Sequence, residues 1–187
     1  MMKSVLISIR PQLVEKIASG QKTIEVRKTA PQEVPFKAYI YCTKEKKQDD
    51  IIWAGIFGDR GKWNGRVIGE FICDKVERLE EHIEQGGLYY ILSDTFNEQA
   101  QLDNWELHDY GKGKTIYSWH ISDLKIYDKP RELSEFSRPC SYSGLCFSCK
   151  RTSFKKDGNL LCNTKITRPP QSWMYIEDLG EAKWNLN

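Results

Sequence analysis

The chain has 187 residues, 40% hydrophobic and 29% charged, with a formal net charge of +2. That is the make-up of one globular domain large enough to bury its own core, and it excludes a disordered or fibrous chain. No stretch approaches the roughly 20 apolar residues that span a bilayer, and MMKSVLISIRP lacks the apolar centre of a signal peptide; a cytoplasmic protein without membrane contact is expected. The charge is unevenly spread. Residues 138–168 hold seven basic groups against one acid, a charge of +6, while the other 21 basic and 25 acidic residues leave −4. Such a basic segment suits a polyanion such as nucleic acid, or forms a solvated loop.

In chain order, Ser4 to Ile9 is predicted as a strand. Pro11 to Ser19 follows as a helix, with Leu13, Val14, Ile17 and Ala18 at helical spacing, Pro11 at its start and Gly20 beyond its end. Thr23 to Arg27 alternates, so Thr23, Glu25 and Arg27 share one strand face and Ile24 and Val26 the other. Phe36 to Cys42 is a further strand. The four glycines and two tryptophans between Trp53 and Gly65 predict a hairpin or flap. Arg66 to Val76 reads as one long strand, and Leu79 to Gln85 and Asn97 to Tyr110 as helices. Thr115 to Ser122 is a strand that places Thr115, Tyr117, Trp119 and Ile121 on one face. A helical turn is predicted over Arg131 to Phe136, and a last strand over Ser172 to Ile176. Short strands with interspersed helices predict an α+β fold, a partly closed β-barrel flanked by helices, in a single domain over residues 1–187.

Three stretches together resemble the activating-signal-cointegrator homology (ASCH) domain of the PUA-like superfamily. One is Ser8-Ile9-Arg10-Pro11 with Gly20-Gln21-Lys22-Thr23-Ile24-Glu25-Val26-Arg27-Lys28, which matches the pattern G-x-K-x-x-E-x-R. Another is Val67-Ile68-Gly69-Glu70-Phe71. The third is Tyr110-Gly111 followed by Tyr117-Ser118-Trp119-His120-Ile121-Ser122, then Pro130, Leu133 and Phe136. The resemblance covers about residues 3–136, with 169–176 as a closing strand. It implies a PUA-like barrel whose cleft takes RNA or a modified nucleoside, and it makes Lys22, Thr23, Glu25 and Arg27 candidate ligand contacts.

Some small bacterial relatives hydrolyse the acetyl amide of N4-acetylcytidine, and others are ribonucleases. The amidohydrolases use the lysine of the motif, a threonine three residues later and a distant glutamate. By that likeness Lys22, Glu25 and Glu98 are candidate catalytic residues. Here Glu25 stands in the threonine position, where a carboxylate cannot replace a hydroxyl nucleophile but can pair with a cation or act as a general base. The plainer alternative is a surface ion pair of Glu25 with Arg27 and a solvated Lys22.

Six cysteines fall into two kinds. Cys42 and Cys73 lie on predicted strands among apolar residues and read as buried thiols. Cys140, Cys146, Cys149 and Cys162 lie within 23 residues at the spacing C-x5-C-x2-C-x12-C. Four thiolates so placed can close a tetrahedral Zn²⁺ site, with an iron–sulfur cluster or free thiols as alternatives. The cysteine-rich segment, about 138–168, reads as an insertion before the last strand, with Lys150, Arg151, Lys155 and Lys156 as its nucleic-acid patch. Tyr117, Trp119 and Trp173 are candidates for base stacking. RNA or nucleotide binding is the expected function, with a hydrolase or a protein-interaction module as alternatives.

Overall fold

Strand β1 (Lys3–Ile9) is buried from Ser4 to Ile9 and places apolar side chains on both faces, because both are covered. Val5, Ile7 and Ile9 enter one buried cluster, while Leu6 enters another on the opposite face. The computed structural model describes residues 2–44, 60–84, 87–90, 92–140, 152–154, 160–162 and 164–179. β1 runs parallel to β3 (Phe36–Cys42) and antiparallel to β12 (Trp173–Ile176). A parallel pair requires a crossover. Here it is helix α1 (Pro11–Ala18) followed by strand β2 (Ile24–Arg27). Pro11 opens α1, Val14 and Ile17 bury its inner face, and Gly20 follows its end at φ +76°. These elements agree with the predicted ones to within a residue or two.

The sheet grows through β4 (Val67–Cys73) to an edge strand, β9 (Ser122–Arg131), in the order β12-β1-β3-β4-β9. Pro130, which lacks a backbone donor, is tolerated in that edge strand, so β9 runs to Arg131 and the expected helical turn shrinks to Leu133–Glu135. A smaller sheet holds β2, β8 (Ile116–His120) and β5 (Val76–Leu79), with β8 in the middle. The single strand predicted over 66–76 is divided at Asp74 and Lys75, where the chain leaves one sheet for the other. Trp119 of β8 joins the sheets by packing edge-on against Phe36, ring centroids 5.0 Å apart. The α+β architecture is as expected, but among the described residues the sheets do not close into a barrel.

Three further predictions are corrected. Leu79 to Gln85 is extended: β6 (Glu81–Glu84) pairs with β7 (Gly87–Tyr90), with Ile83 opposite Leu88. Two residues separate Glu84 from Gly87 in sequence, the spacing of a tight hairpin, and that pairing overrides the local helix signal. The helix predicted over 97–110 is two, α3 (Phe96–Ala100) and α4 (Asn104–Gly111). Gln101 stops the first at φ 51°, and Asp103 starts the second with a capping box, accepting from the Glu106 N–H while Glu106 accepts from its own. Of the stretch expected as a flap, Arg60–Trp63 is a helical turn, α2, and residues 51–59 lie outside the described residues. Two short strands, β10 (Thr152–Phe154) and β11 (Leu160–Cys162), pair antiparallel in the cysteine-rich segment. Among the described residues no helix is long and apolar enough to cross a membrane.

The β4–β9 contact is close because Gly69 has no side chain. A Cβ there would fall inside the contact distance of the Lys125 carbonyl oxygen, part of the backbone. Gly69→Ala should therefore cost about 1–3 kcal/mol, the range for overpacking a buried contact. Urea denaturation should show this as a lower midpoint with an unchanged slope.

Candidate functional site

The end of α1 sets the site. After Gly20 the chain folds back, and the Lys22 N–H donates to the Lys16 carbonyl at 2.8 Å. Thr23 is then fixed on both sides, its N–H donating to Gln99 O and its carbonyl accepting from Ile121 N. Strand β2 continues against β8, with Glu25 opposite Trp119 and Arg27 opposite Tyr117. Ile24 and Val26 go into the cluster formed with α3 and α4. Glu25 and Arg27 take the other face, as the alternation required.

That face is buried. Lys22 is 1% exposed, Glu25 3% and Arg27 8%, so the alternative of a solvated surface pair is corrected. The covering comes from segments distant in sequence. The Lys22 ammonium donates to the Ala100 carbonyl at the end of α3 and lies 3.5 Å from Glu25 Oε2. Arg27 Nη2 donates to the Ser8 carbonyl on β1 at 2.6 Å and sits 2.9 Å from Glu25 Oε1. One carboxylate thus serves two buried cations. Burial pushes the Lys22 pKa below its ordinary value, Glu25 opposes that shift, and the Arg27 charge adds to it. Tyr110 of α4 lies beside the group, and burial raises its pKa.

Above these side chains opens a cleft of about 740 Å³. Lys22, Glu25 and Arg27 line it together with Arg10 and Lys28, and α4 contributes Glu106, Asp109 and Tyr110. The Lys28 ammonium lies 5.1 Å from the centre of the Tyr110 ring. On the cleft floor the acceptor Glu25 Oε2 and the donor Arg27 Nε make no hydrogen bond among the described residues, although Oε2 keeps its 3.5 Å contact with the Lys22 ammonium.

No protein-family model matches the chain, and neither does any curated protein. Solved structures do. A Tyr-to-Phe mutant of an ASCH protein from Zymomonas mobilis is 17% identical with a TM-score of 0.52, covering 94% of this chain and 91% of that one. A Ser-to-Ala mutant of the same protein is 17% identical with a TM-score of 0.51, covering 94% and 89%. The chain has the ASCH fold. The lysine, glutamate and arginine that carried the resemblance meet at the floor of one cleft.

Other candidates lie elsewhere in this ASCH fold. Thr23 is exposed, outside the cleft lining, and works through its backbone. Glu98 is exposed on α3, also outside the lining. Trp119 is 0% exposed, packed between Phe36 and Trp173, which leaves no ring face for a base; a central strand covered on both faces explains the correction. Tyr117 is half-buried against the same core. Trp173 lines a second cavity of about 760 Å³ rather than the cleft, its indole N–H held by Thr29 Oγ1 at 3.0 Å. Cys42 and Cys73 are buried thiols as read, and burial pushes Cys73 up to about 12.

Cys140 is half-buried, and of Cys162 only the strand is described. Cys146, Cys149, Lys150, Arg151, Lys155 and Lys156 lie outside the described residues. Among those described, no three metal-binding side chains cluster. The sequence reading missed Arg10, Glu106, Asp109 and Tyr110 as cleft residues. The D-x-x-E capping signature at Asp103 announced the helix that carries three of them, but nothing local announced where that helix docks.

Removing the shared carboxylate should expose what it does. Glu25→Ala leaves two cations buried together and should cost about 3–5 kcal/mol in urea denaturation. The deficit should shrink as the pH rises toward about 10. Lys22, whose folded pKa lies below the 10.5 of an ordinary lysine, sheds its proton in the folded state first, so the unfolded chain binds more protons and stability rises with pH.

Proposed function

We propose that the cleft over Lys22, Glu25 and Arg27 binds RNA or a nucleotide by its base edge. The observation that carries this is a pair of buried floor atoms that make no hydrogen bond among the described residues, Glu25 Oε2 and Arg27 Nε. A buried polar atom left unpaired costs about 1–3 kcal/mol. An acceptor and a donor on one cleft floor suit a nucleobase edge, which offers an N–H beside a lone pair. The cleft volume is that of a small-ligand site. Arg10 and Lys28 at its margin supply positive charge for a phosphate. The ASCH fold supports the reading by analogy only, since one fold hosts several functions.

Titration of single-stranded RNA by calorimetry or fluorescence anisotropy tests it. Affinity should fall steeply with salt, and Lys28→Ala or Lys155→Ala should each lower the salt slope by about one and weaken all sequences alike. Glu25→Gln keeps the shape and should weaken binding by about 1.5–3 kcal/mol, as for a hydrogen bond to a charged group. Absence of binding, or binding indifferent to salt, overturns the reading.

A second reading, a hydrolase, draws support from Lys22, whose depressed pKa is a usual property of catalytic lysines. Against it, the ammonium is committed to Ala100 and Glu25, and Glu25 replaces the hydroxyl of the amidohydrolases. Incubation with N4-acetylcytidine should release no appreciable cytidine. Turnover abolished by Lys22→Ala would reverse the order of the two readings.

The cysteine-rich segment is proposed to hold structural zinc on Cys140, Cys146, Cys149 and Cys162, in the reduced setting of the cytoplasm. Support comes from the β10–β11 register, which brings the backbone of Cys162 opposite Thr152, three residues after Cys149. Metal analysis of protein purified without added zinc should find about one equivalent. Less than about a tenth of an equivalent, with four thiols reactive in the native protein, overturns this assignment; Cys73, buried with its pKa pushed up to about 12, should stay inert in either case.

A further inference from the structure

The two edges of the large sheet are built differently. β9, at one edge, carries Asp123, Lys125, Asp128, Lys129 and Pro130, and its register against β4 is interrupted. Charges, a proline and irregular pairing are the usual means by which an edge strand is kept from pairing further. β12, at the other edge, has none of them: Trp173-Met174-Tyr175-Ile176 is uncharged and pairs with β1 in unbroken register. The ladder fixes which of its backbone groups point outward. The Ser8 N–H donates to the Ser172 carbonyl, so Ser172, Met174 and Ile176 face β1, while Trp173 and Tyr175 turn their N–H and carbonyl groups away. Among the described residues nothing pairs with those outward groups. The outward edge is taken up again only at Glu177, whose N–H donates to the Ser137 carbonyl.

Beside this open stretch lies the second cavity, about 760 Å³, with Met2, Ala30, Pro139, Trp173 and Tyr175 in its lining. Glu177 lines it too and has no cation partner among the described residues, whereas the neighbouring Asp178 is held by Lys37 at 3.1 Å.

We infer that β12 takes an extended peptide as a sixth strand of the large sheet, its apolar side chains entering this cavity and a lysine or arginine meeting Glu177. Trp173 and Tyr175 supply the backbone donors and acceptors, and alternate side chains of the peptide reach the cavity face. A second copy of this chain is the poorer occupant. Paired about Met174, its strand would set Gln171 opposite Glu177 and leave that charge unanswered. The site shares no lining residue with the cleft over Glu25 and does not depend on what that cleft binds.

Random peptides displayed on phage and panned against the full-length protein, with the Tyr175→Pro protein as competitor, test the inference. Enriched sequences should alternate apolar residues and carry a lysine or arginine; once synthesised, they are titrated by fluorescence anisotropy. Tyr175→Pro removes an outward N–H but no hydrogen bond to β1, and should weaken binding about tenfold. Tyr175→Thr, which loses the ring and keeps the N–H, should retain most of the affinity; a loss equal to that of Tyr175→Pro overturns the strand pairing. Glu177→Gln keeps an acceptor for the Cys140 N–H and serves as the readout if Tyr175→Pro does not fold. It should weaken binding about two- to fivefold and flatten its salt dependence; no change in either overturns the inference. So does a panning that enriches nothing, or peptides that bind native and Tyr175→Pro proteins alike. A native dimer in analytical ultracentrifugation that Tyr175→Pro separates overturns it as well, and gives the edge to a second copy.

Discussion

The Glu25 carboxylate lies between Lys22 and Arg27, and around this contact the cleft side of the fold is arranged. Lys22 reaches from the turn after α1 to the end of α3, through the Ala100 carbonyl. Arg27 reaches from β2 to the Ser8 carbonyl on β1. A single charge cluster therefore ties the first helix and the small sheet to the large sheet and to the helical segment 96–111. In a low-dielectric setting such ties are strong only when every member is answered. Here the backbone carbonyls answer the cations, while Glu25 Oε2 and Arg27 Nε make no hydrogen bond among the described residues.

The remaining cleft groups come from two sources. Arg10 and Lys28 come from the same N-terminal stretch as the floor residues and are basic; Glu106, Asp109 and Tyr110 come from α4 and bring acid and an aromatic hydroxyl. A ligand that satisfies both must itself be divided, anionic at one end and rich in donors along its middle. A nucleotide has that division. A simple polyanion does not, because the α4 carboxylates repel it at the short range where screening is weakest.

Much of this was legible wherever the signal was local. Pro11 and Gly20 bracket α1, and the alternation over 23–27 placed Glu25 and Arg27 on a common face. Burial of that face was not legible, because it depends on Ala100 and Ser8, residues that no periodicity connects to Lys22 or Arg27. The same limit explains Trp119. Alternation showed which residues share its strand face, but a strand covered on both sides gives no sign of which face is open to a ligand. In β6 the failure was of another kind: Glu81–Glu84 carries a local helix preference that pairing with Gly87–Tyr90 overrides. For Asp109 there was no signal at all. An acid on a helix is unremarkable until its neighbours in space are known.

Stability alone does not account for the floor of the cleft. Replacing a buried ionic group with well-packed apolar side chains is often neutral or stabilising, since the desolvation of three charges offsets much of their attraction. Lys22, Glu25 and Arg27 also leave Glu25 Oε2 and Arg27 Nε without a hydrogen bond among the described residues, a further cost that an apolar floor would avoid. A fold that carries both costs at the bottom of an open cleft, while packing Ile24 and Val26 in apolar surroundings on the other face of the same strand, has its polar groups where a ligand can repay them.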